Sequence, residues 1–352
     1  MTARPYDQCR PSRGGGAGMV AEVAEVSWPT WREAMQQALY GADGFFRRER
    51  PRDHFRTSVH AGDQFAKALV RLAGSCDARI VVDIGAGRAE LLLAMARYAP
   101  ELDLVGVEVA GRPTGLPGSV RWTQQLPTDL TEVLVIANEW LDNVPVDVAE
   151  VDADGVPRLV HVDPATGREA LGAAVTGPDA EWLDRWWPLS GTGPGTRAEI
   201  GRSRDAEWAT VVGSVRHGVL VAADYCHLRL DRPPTGTLSA YRDGRTVPVV
   251  PDGSRDITAH VAFDACAAAG EGAGATATVL TSQRHALRML GVDAALPPRE
   301  LATADPLAYV AALARTGEAA ELLDAAGLGG FGWLVQTVDA DVPAELTGSP
   351  PP

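Results

Sequence analysis

The sequence predicts a doubly wound α/β fold built on a parallel sheet. Short apolar runs rich in β-branched residues alternate with helical patterns, and the first run leads into glycines. Strands that helices bury on both faces show runs of this kind, and the strand–helix–strand order is typical of α/β domains. The five strands expected from these runs cover residues 79–85, 102–109, 119–123, 132–139 and 218–225.

Helical patterns flank these strands. Near the N-terminus, Thr30 and Glu33 have capping-box spacing, and apolar residues follow at helical intervals from Trp31 to Leu39. Gly41 is expected to end this helix, because glycine favours helix termination. Further helices are expected at residues 63–73, 88–99, 203–215, 262–269, 284–290 and 306–325, and a further strand at 332–338.

Two insertions interrupt the α/β alternation. The first, at about 146–202, contains a hairpin pattern around Asp154-Gly155 and a tryptophan cluster at 182–187 that is more often core than a substrate platform. The second, at about 226–257, is rich in Pro, Gly and Asp and predicts a long loop, which in compact domains tends to be functional or disordered. The chain is therefore divided into a disordered tail, one domain and a second tail, at 1–26, 27–338 and 339–352.

Composition and charge narrow the class of partner. The chain has 352 residues and a formal net charge of −14, which disfavours nucleic acid because phosphate binding needs a basic face. A basic substrate or an arginine-rich protein segment fits better. No cysteines form C-x-x-C, and we find neither the apolar core of a secretory leader nor the roughly 20 apolar residues of a membrane helix. We expect a cytoplasmic protein without membrane insertion, and without a metal site because the histidines lack metal-ligand spacing.

The expected cofactor site lies where the first two strands end. Asp83, Gly85 and Gly87 belong to the turn D-I-G-A-G, whose glycines let a ligand approach the backbone. Glu108 ends the next strand, roughly 20 residues further on, and can accept hydrogen bonds from ribose hydroxyls. NAD and S-adenosylmethionine (SAM) both fit this pattern. SAM fits better, because Glu90 stands at the third glycine position, where a carboxylate disfavours a pyrophosphate, and because an acidic pocket suits a cationic sulfonium and amine.

A second group of polar residues follows the fourth strand. Asn138 and Glu139 end the apolar run EVLVIA, and Asp142 is close behind. Methyl transfer from SAM is an in-line displacement that needs the acceptor within about 3–3.5 Å. Glu139 and Asp142 are expected to hold a guanidinium by parallel hydrogen bonds. The alternative is helix capping by Asn138 or Asp142, and Asp147 is interpreted as a surface acid.

The remaining polar candidates have plainer interpretations. His260 either orients a loop by hydrogen bonding or accepts a proton after transfer. Asp256 and Thr258 are expected to cap the helix that begins near residue 262. We interpret Arg202, Arg204 and Arg216 as solvated charges on the surface.

Several segments together resemble the MidA-type methyltransferases. The resemblance runs from about residue 28 to 291 and depends on DIGAG, NEWLDNVPVD, GTLSAYRDG and DITAHVAF, with ALY at 38–40 and F-x-T-S at 55–58. DITAHV is the most specific of these. The family includes a mitochondrial complex I assembly factor that dimethylates an arginine of a complex I subunit.

This resemblance implies a class I methyltransferase with SAM as cofactor, a Rossmann-like doubly wound sheet, an N-terminal helical extension and insertions on the substrate side. It also implies a protein substrate, from a respiratory complex or another arginine-containing protein. Residues expected to bind the cofactor, from the turn and from the resemblance together, are Phe55, Thr57, Ser58, Asp83, Gly85, Gly87, Glu108 and Asn138. Residues expected at the reacting end are Glu139, Asp142 and His260.

The sequence departs from the family pattern in three places. Val59-His60 replaces Pro-Glu, Cys226-His227 replaces the glycine after Asp-Tyr, and residues 242–250 replace a His-rich loop. The first departure bears on cofactor contacts, and the other two bear on the substrate loop. Two alternatives to an arginine methyltransferase therefore stay open: a non-catalytic assembly or binding factor on the same fold, and a small-molecule methyltransferase.

Overall fold

The structure is a computed structural model that describes residues 28–48 and 57–347. The predicted N-terminal tail lies outside the described residues, as do Phe55 and residues 348–352. Leu346, within the predicted C-terminal tail, is buried in the core. The folded part of the chain therefore continues past residue 338.

A seven-stranded sheet forms the centre of the fold, and smaller sheets flank it. Every run predicted as a strand forms one, within a few residues of the expected bounds. The strands are β1 (Ile80–Ile84), β2 (Asp103–Val107), β3 (Val120–Thr123), β4 (Leu130–Asn138), β5 (Asp147–Val151), β6 (Pro157–Val162), β7 (Glu169–Ala174), β8 (Arg197–Ile200), β9 (Val215–Asp224), β10 (Cys226–His227), β11 (Ser239–Arg242), β12 (Arg245–Val247), β13 (Asp256–Thr258), β14 (Val261–Ala262), β15 (Ala277–Ser282) and β16 (Gly332–Val338).

The central sheet has the strand order β15-β16-β9-β4-β1-β2-β3. Strands β3, β2, β1, β4 and β9 are parallel, whereas β16 is antiparallel to both β9 and β15. The chain winds outward from β1 to β3 and then returns to β4 on the other side of β1. The predicted doubly wound α/β fold is confirmed. Its strand order reverses between β1 and β4, and ligands bind at such a reversal, beyond the carboxyl ends of the strands.

Helices cover both faces of the central sheet. They are α1 (Trp31–Met35), α2 (Phe45–Arg48), α3 (Asp63–Ser75), α4 (Glu90–Ala96), α5 (Gly177–Trp186), α6 (Arg202–Gly213), α7 (Phe263–Gly272), α8 (Gln283–Met289), α9 (Arg299–Ala304) and α10 (Pro306–Leu322). Successive strand residues point to opposite faces: in β4, Leu134 and Ile136 belong to the core with α3, α4, α8 and α10, and Val133 and Val135 to the core with α6 and α7. None of the helices in the described residues is long and apolar enough to cross a membrane.

The N-terminal helix begins with the predicted capping box. Thr30 Oγ1 accepts the N–H of Glu33, and the Glu33 carboxylate accepts the N–H of Thr30. Helix α1 continues as a π-helical segment, Gln36–Tyr40, and stops at Gly41 as predicted. Its apolar face packs against β5 and β6.

The two insertions hold more regular structure than the sequence predicts. The first contains the expected hairpin of β5 and β6, but β7 and β8 extend it to a four-stranded antiparallel sheet. Trp182 and Trp187 are buried in a core beside β5 and β8, as the core interpretation expects. The second insertion is not one long loop, because β11 and β12 form a hairpin that pairs with β13. These strands are too short to show a clear alternation in the sequence.

Further elements and one side chain also differ from the predictions. The edge strand β15 and the helices α2, α5 and α9 are not predicted, because none of them has a long periodic pattern. Asp147 is not a surface acid. It is buried at the start of β5, where its carboxylate accepts hydrogen bonds from the Arg32 backbone N–H (3.2 Å) and from Arg32 Nε (2.9 Å).

Candidate cofactor and active site

A cavity of about 330 Å³ lies at the reversal of strand order between β1 and β4. Residues from the ends of β1, β2 and β4 line it, together with parts of the N-terminal region and α6. Three of the predicted site residues do not line it, namely Ser58, Asp142 and His260. The predicted residues that do line it are Thr57, Asp83, Gly85, Gly87, Glu108, Asn138 and Glu139.

The turn after β1 requires its glycines. Gly85 and Gly87 have φ of +70° and +56°, in the left-handed region that favours glycine. A Cβ on Gly85 would lie 2.8 Å from Cδ1 of Trp140, a side chain that also lines the cavity. The turn therefore needs glycine at both positions for its left-handed backbone, and Gly85 also leaves room for the Trp140 ring.

Two carboxylates stand beside this turn. Burial raises the pKa of Asp83 well above its ordinary value, with a further contribution from the nearby Glu108 and Glu90 carboxylates. Burial also raises the pKa of Glu108, although backbone N–H groups oppose this effect. The backbone N–H groups of Gly87 and Ala110 each donate a 3.1 Å hydrogen bond to the Glu108 carboxylate. They fix the carboxylate and leave lone pairs that can accept from ribose hydroxyls.

Asn138 and Glu139 meet the cavity at the end of β4. Glu139 has a φ of +52°, which is uncommon outside glycine and typical of functional turns. Its Oε1 accepts hydrogen bonds from the Ser58 N–H (3.0 Å) and from Asn138 Nδ2 (3.1 Å). Burial raises the pKa of Glu139 to about 7. Asn138 Oδ1 is buried and has no hydrogen-bond partner within the described part of the chain, so it can accept a hydrogen bond from a ligand.

The capping interpretation of Asn138 and Asp142 is wrong. A 3₁₀ turn at Leu141–Asn143 follows Glu139, and it has no side-chain cap. Ser58 does not line the cavity, although it is expected to contact the cofactor. Its backbone N–H instead donates a hydrogen bond to the Glu139 carboxylate and fixes that carboxylate in place.

Asp142 does not form a carboxylate clamp with Glu139 in the cavity. Its Oδ2 accepts a 2.6 Å hydrogen bond from the Thr258 hydroxyl, and its backbone N–H donates to Asp224 Oδ2. Asp256 likewise accepts a 2.8 Å hydrogen bond from Asn143 Nδ2. Asp256 and Thr258 lie in β13 and are therefore not helix caps, and α7 begins without a side-chain cap. These residues tie the turn after β4 to β13.

Arg204 is a buried structural residue, and its interpretation as a solvated charge is wrong. The side chain is buried on α6. It shares a helix face with the buried Trp208 and Val211, a spacing that could have identified it. Its guanidinium donates hydrogen bonds to four backbone carbonyls, those of Asp142 (2.6 Å), Val144 (3.1 Å), Ala259 (2.8 Å) and His260 (2.8 Å).

His260 lies outside the cavity and beside Tyr225. The two rings stack with centroids 5.4 Å apart and an interplanar angle of 15°. The His260 backbone N–H donates a 2.8 Å hydrogen bond to Thr237 Oγ1, and burial together with the Arg204 charge lowers the pKa of His260. These contacts favour the loop-orienting interpretation over that of a proton acceptor.

The cavity is also lined by residues that the sequence does not mark as site candidates. His60, one of the departures from the family pattern, is among them, and its Nδ1 lies 2.6 Å from Thr57 Oγ1. His60 Nε2 is buried without a hydrogen-bond partner among the described residues. The added residues with polar or aromatic side chains are Tyr40, Phe46, His60, Arg88, Glu90, Gln124, Trp140, Asn143, Glu207 and Thr210.

The cavity fits a nucleoside cofactor with a cationic end. It is lined by the glycine turn after β1 and by a fixed carboxylate at Glu108 that suits ribose. Two buried polar atoms, His60 Nε2 and Asn138 Oδ1, can be satisfied by a ligand. Its volume lies at the lower end of the range of small-molecule sites. No group of His, Cys, Asp and Glu side chains in the part of the chain that the structure describes could hold a metal ion.

The fold and the cavity define a nucleoside-binding α/β protein of the methyltransferase class, and comparison with known proteins agrees. A family model described as "Putative S-adenosyl-L-methionine-dependent methyltransferase" matches residues 94–281. The chain belongs to this family, and its cofactor is SAM. No curated protein matches the chain.

Two solved structures from Burkholderia thailandensis are similar along most of their length. One is bound to S-adenosyl-homocysteine, with 26% identity, a TM-score of 0.74, and coverage of 91% of this chain and 90% of that chain. The other is a native structure of an uncharacterized protein, with 27% identity, a TM-score of 0.72, and the same coverage of both chains. S-adenosyl-homocysteine is what remains of SAM after methyl transfer. Within this family, SAM supplies the methyl group when bound, and the residues of this chain bind and orient it.

Proposed function

We propose that the protein transfers the methyl group of SAM to a nitrogen of an arginine side chain in a protein substrate. One observation carries this proposal. Glu139 lies at the end of β4 in the cavity of a SAM-binding fold, beside Asn138 Oδ1, which has no hydrogen-bond partner among the residues that the structure describes. A carboxylate and an amide oxygen are acceptors, and a guanidinium presents only donors.

The charges of the site suit a cationic acceptor. Each of the carboxylates Asp83, Glu108 and Glu139 lines the cavity, and the whole chain is acidic. A cationic ligand in the cavity would stabilise the ionised forms of these buried carboxyl groups, because an opposite charge nearby favours a carboxylate. A protein substrate is supported by the resemblance to the MidA-type methyltransferases.

The reaction requires that one proton leave the acceptor. The methyl group moves from the sulfonium sulfur to the nitrogen, the carbon–sulfur bond breaks, and the sulfur keeps its electron pair as a neutral thioether. The nitrogen gains a carbon and gives up a proton, so the guanidinium stays a cation. Glu139 is the group placed to accept this proton, because burial raises its pKa to about 7, near the operating pH of most enzymes.

Asn138 and Glu139 then have separate roles. Asn138 Oδ1 accepts an N–H of the guanidinium and so fixes its plane, while Glu139 receives the proton from the attacking nitrogen. This assignment replaces the expected clamp of Glu139 with Asp142, because Thr258 holds Asp142 away from the cavity.

The test is transfer of labelled methyl from SAM to proteins. Purified wild-type protein would be incubated with methyl-tritiated SAM and an extract of the source organism from which the gene has been deleted. We expect label in protein, recovered as methylated arginine after hydrolysis. Glu139→Gln should abolish transfer but keep SAM binding in calorimetry, and Glu108→Ala should weaken SAM binding itself. Label only in the small-molecule fraction would support the small-molecule alternative. SAM binding without any transfer would support the non-catalytic alternative.

A further inference from the structure

The cavity lacks an obvious partner for one part of SAM. SAM has a sulfonium, an ammonium and a carboxylate, and the first two suit an acidic site. The α-carboxylate instead needs a donor, preferably a cationic one. Among the described residues that line the cavity, only His60 and Arg88 have side chains that can be cationic, against Asp83, Glu90, Glu108, Glu139 and Glu207.

The ends of the strands determine where that carboxylate should lie. Glu108, at the end of β2, is placed for the ribose, and Glu139, at the end of β4, is placed for the reacting centre. Strand β1 lies between them in the sheet. The methionyl end of SAM is therefore expected beyond the carboxyl end of β1, between these two carboxylates. Asp83 is suited to bind its ammonium group there. The 3₁₀ turn Ser58–Ala61, which contains His60, borders that space.

His60 is held there with one ring nitrogen already bonded. Its backbone N–H donates to the Thr57 carbonyl (3.0 Å), and its Nδ1 lies 2.6 Å from the Thr57 hydroxyl. When that hydroxyl donates to Nδ1, the ring hydrogen resides on Nε2. This Nε2 is buried and makes no hydrogen bond to any described residue. A buried donor without a partner is costly, so a ligand acceptor is the expected partner.

Glu90 is not a hydrogen-bond partner of His60 Nε2. The closest approach of its carboxylate, Oε1, is 3.9 Å from His60 Nε2, too far for a hydrogen bond. The other oxygen, Oε2, accepts the Arg88 N–H at 2.9 Å. Although burial opposes its ionisation, the neighbouring His60 ring and local backbone N–H groups lower the pKa of Glu90. Glu90 therefore leaves the Nε2 donor of His60 unoccupied.

We propose that His60 Nε2 binds the α-carboxylate of SAM. The proposal rests on SAM as cofactor and is independent of the acceptor that is methylated. Arg88 is the competing candidate, since its side chain is exposed at the mouth of the same cavity. His60 is preferred because its position is fixed by Thr57 and its free donor is buried.

Binding calorimetry with two ligands tests the contact without any methyl acceptor. The ligands are S-adenosyl-homocysteine and its decarboxylated analogue, which keeps the amine and the nucleoside but lacks the carboxylate. We expect His60→Ala to weaken binding of S-adenosyl-homocysteine about tenfold, or about 1.4 kcal/mol. Binding of the decarboxylated analogue should change less than about twofold, because the lost contact involves only the carboxylate. His60→Gln, whose amide keeps an N–H donor, should retain most of the affinity.

Arg88→Ala is the matched control, and it should weaken both ligands to the same small extent. The proposal is overturned if His60→Ala weakens both ligands equally, or if Arg88→Ala shows the carboxylate-selective loss instead. Should His60→Ala not fold, ¹⁵N NMR of the imidazoles in the wild-type protein gives the answer. The His60 signal, assigned with His60→Gln, should shift with S-adenosyl-homocysteine and not with the analogue. A His60 signal that responds equally to both ligands contradicts the contact.

Discussion

The hydroxyl of Thr258 donates a 2.6 Å hydrogen bond to Oδ2 of Asp142, joining segments 116 residues apart in the chain. The backbone N–H of Asp142 in turn donates to Asp224, at the end of β9. Thr258 belongs to DITAHV, the most specific of the resembling motifs, and no residue of that motif lines the cavity. The motif therefore supports the turn that follows Glu139, from outside the cavity.

Thr258→Val should destabilise the protein without removing the cofactor site. The substitution leaves a buried Asp142 oxygen without its donor, which costs about 1–3 kcal/mol of the free energy of unfolding. SAM affinity should be unchanged, whereas methyl transfer should fall because the turn that follows Glu139 is held less firmly. Urea denaturation and calorimetry measure these quantities. Thr258→Ser, which keeps the hydroxyl, is the control, and a valine variant as stable as the wild type would contradict the role of this hydrogen bond.

Arg204 donates hydrogen bonds to the same turn, and its replacement should strongly destabilise the protein. Arg204→Met removes hydrogen bonds to four carbonyls, together with the positive charge that opposes the raised pKa values of Asp142 and Asp224. We expect the free energy of unfolding to fall by roughly 3–5 kcal/mol. Arg202→Met, on the same helix, removes an exposed pair with Asp179 and should cost less than about 1 kcal/mol. If Arg204→Met costs no more than about 1 kcal/mol, as expected for Arg202→Met, the structural role of Arg204 is contradicted.

The sequence predicts the parts of this site that depend on strand ends, and misses those that depend on tertiary pairing. Buried apolar runs mark β1, β2 and β4, and ligands bind beyond the carboxyl ends of such strands. Asp83, Glu108 and Glu139 are therefore predictable as residues that line one cavity. The direction of Asp142 is not, because it depends on Thr258, a residue far away in the sequence.

The same distinction explains the two errors on charged side chains. Arg204 and Asp147 are charged residues in a chain with many solvated charges, and an isolated charged residue is normally exposed. Their burial follows from partners that no local pattern reveals, namely the carbonyls around Arg204 and the Arg32 side chain beside Asp147. His60 is a different case, since the sequence marks it as a departure from the family pattern. Only the structure shows that it lines the cavity and that its Nε2 has no hydrogen-bond partner within residues 28–48 and 57–347.

Gly85→Ala should damage the cofactor site directly. A left-handed φ costs an alanine roughly 1–2 kcal/mol, and the new Cβ would press on the Trp140 ring. We expect SAM affinity to fall at least tenfold in calorimetry, together with a loss of stability. Gly74→Ala is the control: Gly74 lies in α3 with open space around it. That variant should gain about 0.5–1 kcal/mol. Unchanged SAM affinity in Gly85→Ala would mean that the cofactor does not approach this turn.

Glu139 should make stability depend on pH in a direction opposite to that of a salt-bridged acid. Burial raises its pKa from 4.5 to about 7. Between these values the unfolded chain has lost the proton and the folded chain keeps it. The contribution of Glu139 to the free energy of unfolding therefore falls as the pH rises through this window, and is constant above it. Ionisation of the buried carboxylate then costs roughly 3 kcal/mol.

Glu139→Gln removes this cost, because glutamine does not ionise. The stability of the variant relative to the wild type should therefore rise by about that amount between pH 4.5 and pH 8, as measured by urea denaturation across the range. Wild-type methyl transfer should rise with pH up to about 7, since only the ionised carboxylate accepts a proton. If the stability difference between Glu139→Gln and the wild type does not change with pH, Glu139 is already ionised in the folded protein and is not the group that titrates near neutrality.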